Sequence, residues 1–261
     1  MAKRMTDSIV HKAEKPVSGW RQRIVDARAV ADPAWRRYRA AIFQGYLIAA
    51  VVVFGILAVL AHTIAYFTFD LTITEEIQES HGFVFDALMR AVTWIGFSPQ
   101  APILIGLGIL FHYVSGLKWE AVMTLLGNIG ISILGAVVKL IVLRPRPSPD
   151  LVNVIAELPD YGFPSGHVLF FVTFFGFLAF LAVALFKPSW GRRLILLILF
   201  SLIALVGISR IYLGEHWASD VIAAYLLGSV WLAACVRVYR WGKPRFFVNQ
   251  PVAKETQAAE S

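Results

Sequence analysis

Long apolar runs separated by short polar breaks set the class of this chain. A helix needs about 20 mainly apolar residues to cross a bilayer. Six segments meet or approach that length: 41–67, 99–115, 121–143, 168–186, 194–212 and 218–238. The second is short and carries Gly106 and Gly108, so it can borrow residues from either flank. No alternating stretch offers a competing strand pattern. The pattern predicts an all-α integral membrane protein with six transmembrane helices. A single membrane domain then covers residues 41–242, between tails at 1–40 and 243–261.

Residues 70–98 break the rhythm. They open with Asp70, Glu75, Glu76 and Glu79, then place Phe85, Leu88, Met89, Val92 and Ile95 at helical spacing. Such a stretch predicts an amphipathic helix between the first and second spans, lying in the interface or packed across the mouth of the bundle. Trp20, Ile24 and Val25, interleaved with Arg21, Arg23 and Arg28, predict a similar segment on the opposite face. The polar stretch after Lys243 is expected to be unstructured.

Composition agrees with the pattern: 58% of the 261 residues are hydrophobic and 16% charged. The formal net charge of +7 sits mostly in residues 1–40, which hold ten Lys/Arg against four Asp/Glu. Beside a span, such a tail is better explained by anionic lipid on the cytoplasmic face than by nucleic acid. The one cysteine, Cys235, lies in an apolar run, which leaves no intrachain disulfide or thiolate metal site and predicts simple packing. The polar start and the long first run do not fit a cleavable signal, so the first span is expected to act as a signal-anchor.

Loop cations orient the bundle. Lys118, Lys187, Arg192, Arg193, Arg237, Arg240, Lys243 and Arg245 fall on the side of the N-terminal tail if there are six spans. Both termini are then cytoplasmic. Lys139, Arg144, Arg146 and Arg210 fall on the other side and need a different explanation.

That explanation begins with connectivity. Up-down topology brings the C-terminal ends of the third and fifth spans to the outer face, where the fourth and sixth begin. Lys139, Arg146, Ser165, Gly166, His167, Arg210, His216 and Asp220 all lie at those ends. Convergent ionisable groups at membrane depth mark a functional site. Arg146 and Arg210 supply planar forks for phosphate, and Lys139 a point charge. Ser165 and Gly166 precede a helix whose N–H groups can face an anion. His216 and Asp220 are four apart, so the carboxylate can hold one imidazole nitrogen while the other acts as nucleophile. His167 is then available as general acid. With no metal site or cofactor indicated, the three cations must meet the developing phosphoryl charge.

Other polar residues read more plainly. His62 and His112 are expected to be structural, His11 and His81 solvated, Asn128 an interhelical hydrogen bond, and Glu215 a solvated turn residue, with tuning or gating of the site as the alternative for Glu215.

At these positions the chain resembles the type 2 phosphatidic acid phosphatase superfamily. Lys139 to Arg146-Pro147, Pro164-Ser165-Gly166-His167, and Ser209-Arg210 with His216 and Asp220 match its three-part pattern in order. The resemblance implies a six-helix fold and metal-independent hydrolysis of a phosphomonoester or pyrophosphate through a phosphohistidine. It implies catalytic roles for His216, His167 and Asp220, and phosphate binding by Lys139, Arg146, Ser165, Gly166 and Arg210. The expected substrate is a lipid from the bilayer, such as phosphatidate, phosphatidylglycerol phosphate or undecaprenyl pyrophosphate. The expected setting is a bacterial plasma membrane, with the site facing the periplasm or exterior. A phosphotransferase acting on an acceptor hydroxyl, and a non-catalytic headgroup-binding or transport protein, are the alternatives.

Overall fold

The structure is a computed structural model that describes residues 33–80, 82–156 and 158–246. The expectations for Trp20, Ile24, Val25, His11, His81 and the last fifteen residues lie outside that set. The described residues form eight helices and no strand: α1 Pro33–Thr63, α2 Thr68–Gln78, α3 Phe83–Ile95, α4 Gln100–Val114, α5 Lys118–Val142, α6 Gly166–Leu185, α7 Trp190–Tyr212 and α8 Ala218–Phe246. The chain divides into two compact units, Met1–Tyr46 and Leu47–Ser261. The described part of the first unit is helical, with Trp35 stacked on Tyr38 at 5.7 Å.

Five helices are long and apolar enough to cross a membrane: Arg37–Thr63 of α1, then α5, α6, α7, and Ala218–Arg245 of α8. The expected second span differs. Helix α4 has 15 residues, which reach about 22 Å, short of a hydrocarbon core of about 30 Å. Helices α3 and α4 pass the same test as a pair bent by 60°. Gly96, Ser98 and Pro99 at the break explain it, since proline cannot donate to the helical ladder and glycine weakens it.

Helix α6 is the central element of the second unit. Phe171, Phe174 and Phe175 pack with Val206 of α7 and with Val221 and Ala224 of α8. At the other end of the bundle Phe177 and Leu181 meet Met123, Cys235 and Tyr239. In lipid, apolar burial alone does not draw helices together, so close packing and polar contacts must do so. Small residues supply the closeness. A Cβ on Gly130 would meet Trp231 at 2.3 Å, and one on Gly176 would meet Leu232 at 2.6 Å. Polar contacts supply the rest. Buried Glu120 accepts from Lys243 Nζ at 2.6 Å and from the Tyr239 hydroxyl at 2.8 Å. Asn128, expected to bond between helices, instead donates to Thr124 O one turn back in α5, at 2.8 Å.

The stretch after α1 is not a single amphipathic helix. Helix α2 packs on α7 and α8, while α3 packs on α7 through Met89, Val92 and Thr93. The Ser209 hydroxyl donates to Met89 O at 2.7 Å. Gln78 ties the end of α2 to the loop before α6 and to the end of α7, donating to Asn153 O at 2.6 Å and to Tyr212 O at 2.9 Å. These contacts bring α2 and α3 to the end of the bundle where α5 and α7 finish and α6 and α8 begin.

Candidate active site

At that end, Lys139 comes from the last turn of α5 and Arg146 from the loop that follows it. Leu143 closes α5 with a left-handed φ of 54° and donates to Lys139 O. That turn directs residues 144–147 back across the bundle. Ser165 caps α6, Arg210 lies in the last turn of α7, His216 in the α7–α8 turn, and Asp220 in the first turn of α8. The Ser165 N–H donates to Asp220 O at 3.3 Å, joining the start of α6 to that of α8.

Two of the expected residues meet directly. Arg146 Nη1 lies 3.0 Å from His216 Nε2 and also donates to Glu215 O at 2.6 Å. His216 is 1% exposed. Burial, and then the charges of Arg146, Arg210 and Lys139, push its pKa well below the ordinary 6.5. A neutral imidazole carries a lone pair on one ring nitrogen, here the Nε2 that accepts from Arg146.

Asp220 has a different posture from the one its spacing predicts. Its Oδ2 is 3.6 Å from His216 Nδ1, longer than a hydrogen bond. Oδ2 instead accepts from the Trp217 N–H at 3.0 Å, and Oδ1 accepts from Arg144 at 2.5 Å. A carboxylate fixed on both oxygens is a rigid neighbour for the ring. Catalytic hydrogen bonds are often long before substrate binds and tighten in the complex.

His167 lies in the first turn of α6, and the α3–α4 break packs against it. Phe97 meets the His167 ring edge-on at 4.7 Å, and a Cβ on Gly96 would come within 2.1 Å of its Cδ2. His167 Nε2 is buried without a partner, as is Ser165 Oγ. The same break serves Arg210, which donates to the Thr93 hydroxyl and lies 5.3 Å over the Phe97 ring. Gly166 is exposed at the first position of α6.

The three expected phosphate cations are not bare. Asp160 bridges two of them, accepting from Lys139 Nζ at 2.6 Å and pairing with Arg146. Burial alone would raise the Asp160 carboxyl, but Lys139 and Arg146 outweigh it and hold its pKa below the ordinary value. Arg210 pairs with Glu215, which is 3% exposed and not the solvated turn residue expected. A cleft of about 270 Å³ opens beside Arg146, lined by Ser148, Val154, Leu158, Gly214 and Glu215.

Sequence reasoning missed the contacts that join Arg144 to Asp70, Ser219 and Asp220. Arg144 donates to Asp220, to the Ser219 hydroxyl at 2.6 Å and to Asp70 Oδ2 at 2.8 Å. Arg144, Asp70, Ser219 and Asp220 are all fully buried. The available signal was Arg144 itself, a cation on the wrong side of the membrane by loop counting. Its partners are 74 to 76 residues away in sequence, and no local period points to them. Thr93, Gly96 and Phe97 carried no charge signal at all.

The arrangement is a buried histidine against a cluster of cations, with a second histidine in the first turn of α6, inside a bundle of membrane-length helices. Sequence comparison gives the class. The PAP2 superfamily profile matches residues 119–244. Phosphatidylglycerophosphatase B of Bacillus subtilis is 30% identical over 179 residues, covering 67% of this chain and 85% of that protein. Undecaprenyl-diphosphatase of Sulfolobus acidocaldarius is 38% identical over 105 residues, 39% of this chain and 46% of that one. Among solved structures, the transmembrane PAP2-type phosphatidylglycerolphosphate phosphatase from Bacillus subtilis aligns with a TM-score of 0.63 and 26% identity, over 77% of this chain and 98% of that one. Aquifex aeolicus LpxE shares the fold, with a TM-score of 0.52 and 22% identity over 67% of this chain. The chain belongs to the PAP2 superfamily.

Proposed function

We propose that this membrane-embedded PAP2 enzyme, a lipid phosphatase, hydrolyses its substrate through a phosphohistidine on His216. One contact carries the reading most directly: Arg146 Nη1 stands 3.0 Å from His216 Nε2, so a phosphate held by Arg146 lies against the nucleophile. Lys139, Arg146 and Arg210 hold the phosphoryl oxygens with the N–H groups at the start of α6, around Ser165 and Gly166. His216 Nε2 attacks phosphorus, forming the N–P bond as the P–O bond to the lipid breaks. His167 delivers a proton to the leaving oxygen. Water then attacks the phosphohistidine, its proton passes to His167, and phosphate departs. Asp220 orients His216 and meets the positive charge the ring gains. The cations balance the charge at phosphorus, so the scheme calls for no metal.

The proposed topology has six spans, with the bent pair α3–α4 as the second. The interface-lying segment then contracts to α2. The excess of cations in the loops on one side supports cytoplasmic termini and a site on the extracytoplasmic face. Lipids reach it laterally, their tails remaining in the bilayer. The substrate is a phosphomonoester or pyrophosphate lipid. The extent of the match to phosphatidylglycerophosphatase B makes phosphatidylglycerol phosphate the first candidate, with phosphatidate and undecaprenyl pyrophosphate beside it.

Phosphate release by purified protein in mixed micelles, from those three lipids side by side, tests the reading. Release from at least one of them without an added acceptor is the expected result. Release only with an acceptor alcohol would make the protein a transferase, and binding without turnover would make it a headgroup carrier.

A further inference from the structure

Of the buried group around Arg144, only Asp220 has a role in the scheme above; Arg144, Asp70 and Ser219 have none. The group's geometry is a chain of alternating charge. Asp70 Oδ2 accepts from Arg144 Nη2 at 2.8 Å, Arg144 Nη1 donates to Asp220 Oδ1 at 2.5 Å, and Asp220 Oδ2 faces His216 Nδ1 at 3.6 Å. Ser219 braces the chain. Its hydroxyl accepts from Arg144 Nη1 at 2.6 Å and donates to Asp70 Oδ2 at 2.8 Å, while its N–H donates to Asp70 Oδ1 at 2.7 Å. Asp70 Oδ2 also accepts from the Phe67 N–H at 3.0 Å. Arg144 Nε donates to Ala65 O at 3.1 Å, and its guanidinium lies 5.1 Å over the Phe67 ring. The α1–α2 turn, α2, the loop after α5 and the start of α8 all meet on this one side chain.

We propose that Arg144 is a positioning residue of the phosphoryl-transfer site, held by Asp70 and in turn holding Asp220 at the edge of the His216 ring. The proposal rests on His216 being the nucleophile.

Two arguments support a positioning role over a purely structural one. Taking three charges out of water is costly, and a well-packed apolar set of similar volume is often as stable or more so. Stability alone therefore does not account for the group. Its charge balance also fits the reaction. Two carboxylates and one guanidinium leave one unit of negative charge unneutralised, facing His216. That charge is matched when attack on phosphorus makes the ring cationic.

Arg144 sets where Asp220 sits, and Asp70 sets how much of Arg144's charge Asp220 feels. Removing the Asp70 charge leaves Arg144 pulling harder on Asp220, which weakens its hold on a cationic His216. The ring then protonates at lower pH. A brace that merely held the fold would change thermal stability without moving that titration.

The test uses R144K, R144M and D70N in the full chain, purified in detergent, with kcat, KM, the pH profile of kcat and the unfolding temperature measured for each. In R144M, kcat is expected to fall at least ~10-fold, the usual scale for groups that orient a catalytic residue, with KM within about threefold of wild type. R144K is expected to recover part of the loss, since it keeps the charge but not the fork. D70N is expected to shift the acid limb of the kcat profile to lower pH. If R144M does not fold, R144K and D70N decide the matter. Variants with wild-type kcat and an unmoved acid limb would overturn the proposal, even with a lowered unfolding temperature. H216A, assayed alongside, separates the two failures. Turnover in H216A would remove the nucleophile reading, whereas an inactive H216A with active Arg144 variants would remove only the positioning role.

Discussion

Gly96 lies against His167 so closely that a Cβ on it would come within 2.1 Å of the imidazole Cδ2. The backbone there is ordinary, with φ at −90°, so the glycine is required for space and not for conformation. The break between α3 and α4 thus forms one wall of the site and fixes where the proposed general acid can stand.

Gly96→Ala tests that wall. The added methyl group must displace the His167 ring or the α3–α4 turn. Overpacking of this kind typically costs about 1–3 kcal/mol. The unfolding temperature should fall, and kcat should fall by more than KM changes, because the acid moves while Lys139 and Arg146, held by Asp160, do not. Wild-type kcat in G96A would show that His167 has room to spare.

Asp160 occupies two of the three cations proposed to hold the phosphate, so it competes with substrate and product alike. In D160N, inhibition constants for inorganic phosphate and orthovanadate are expected to fall several-fold. The competition has a defined pH range. The Asp160 pKa is held low in the folded protein, so the carboxylate stays charged through mildly acidic pH and is lost only as pH falls through that lowered value. The gain in D160N should therefore be full at neutral pH and vanish at low pH. An unchanged inhibition constant at pH 7 would mean that Asp160 does not stand in the phosphate's place.

His216 gives a prediction for stability. Its folded pKa lies well below the ordinary 6.5, so the unfolded chain binds the proton first as pH falls. Its contribution is intact above about pH 6.5 and is lost progressively below it. Unfolding temperatures measured from pH 8 to pH 5 should decline in wild type, and the decline should be shallower in H216Q. Parallel slopes in the two proteins would contradict a buried neutral ring.

Metal removal gives a further check. With Lys139, Arg146 and Arg210 meeting the phosphoryl charge, turnover in excess chelator is expected to stay within about twofold of the untreated rate. A strict requirement for an added divalent cation would contradict the scheme.

The apolar runs made five spans legible, because length and hydropathy are local properties of the chain. The α3–α4 segment was harder to read. Its break is set by Gly96 and Pro99 and by packing against His167, and no apolar period reveals that packing. The charged residues of the candidate site stood out because ionisable groups at membrane depth are costly and therefore conspicuous. Thr93, Gly96 and Phe97 carry no such cost. Glu215 looked like a solvated acid, and Asp70 like one more charge in the acidic start of 70–98, because their partners, Arg210 and Arg144, reach them only through the fold. The His216–Asp220 spacing suggested that the carboxylate holds the ring, whereas the pair stands 3.6 Å apart and Arg144 and the Trp217 N–H decide which atoms the carboxylate serves.

Trapping the covalent intermediate tests the central claim most directly. Enzyme mixed with a lipid carrying radiolabelled phosphate, quenched within milliseconds in alkaline detergent and digested, should yield one acid-labile labelled peptide containing His216. H216A should give no label and lose on the order of 10³-fold or more in turnover, as removal of a nucleophile usually does. Label on another residue, or H216A turnover close to wild type, would contradict the account.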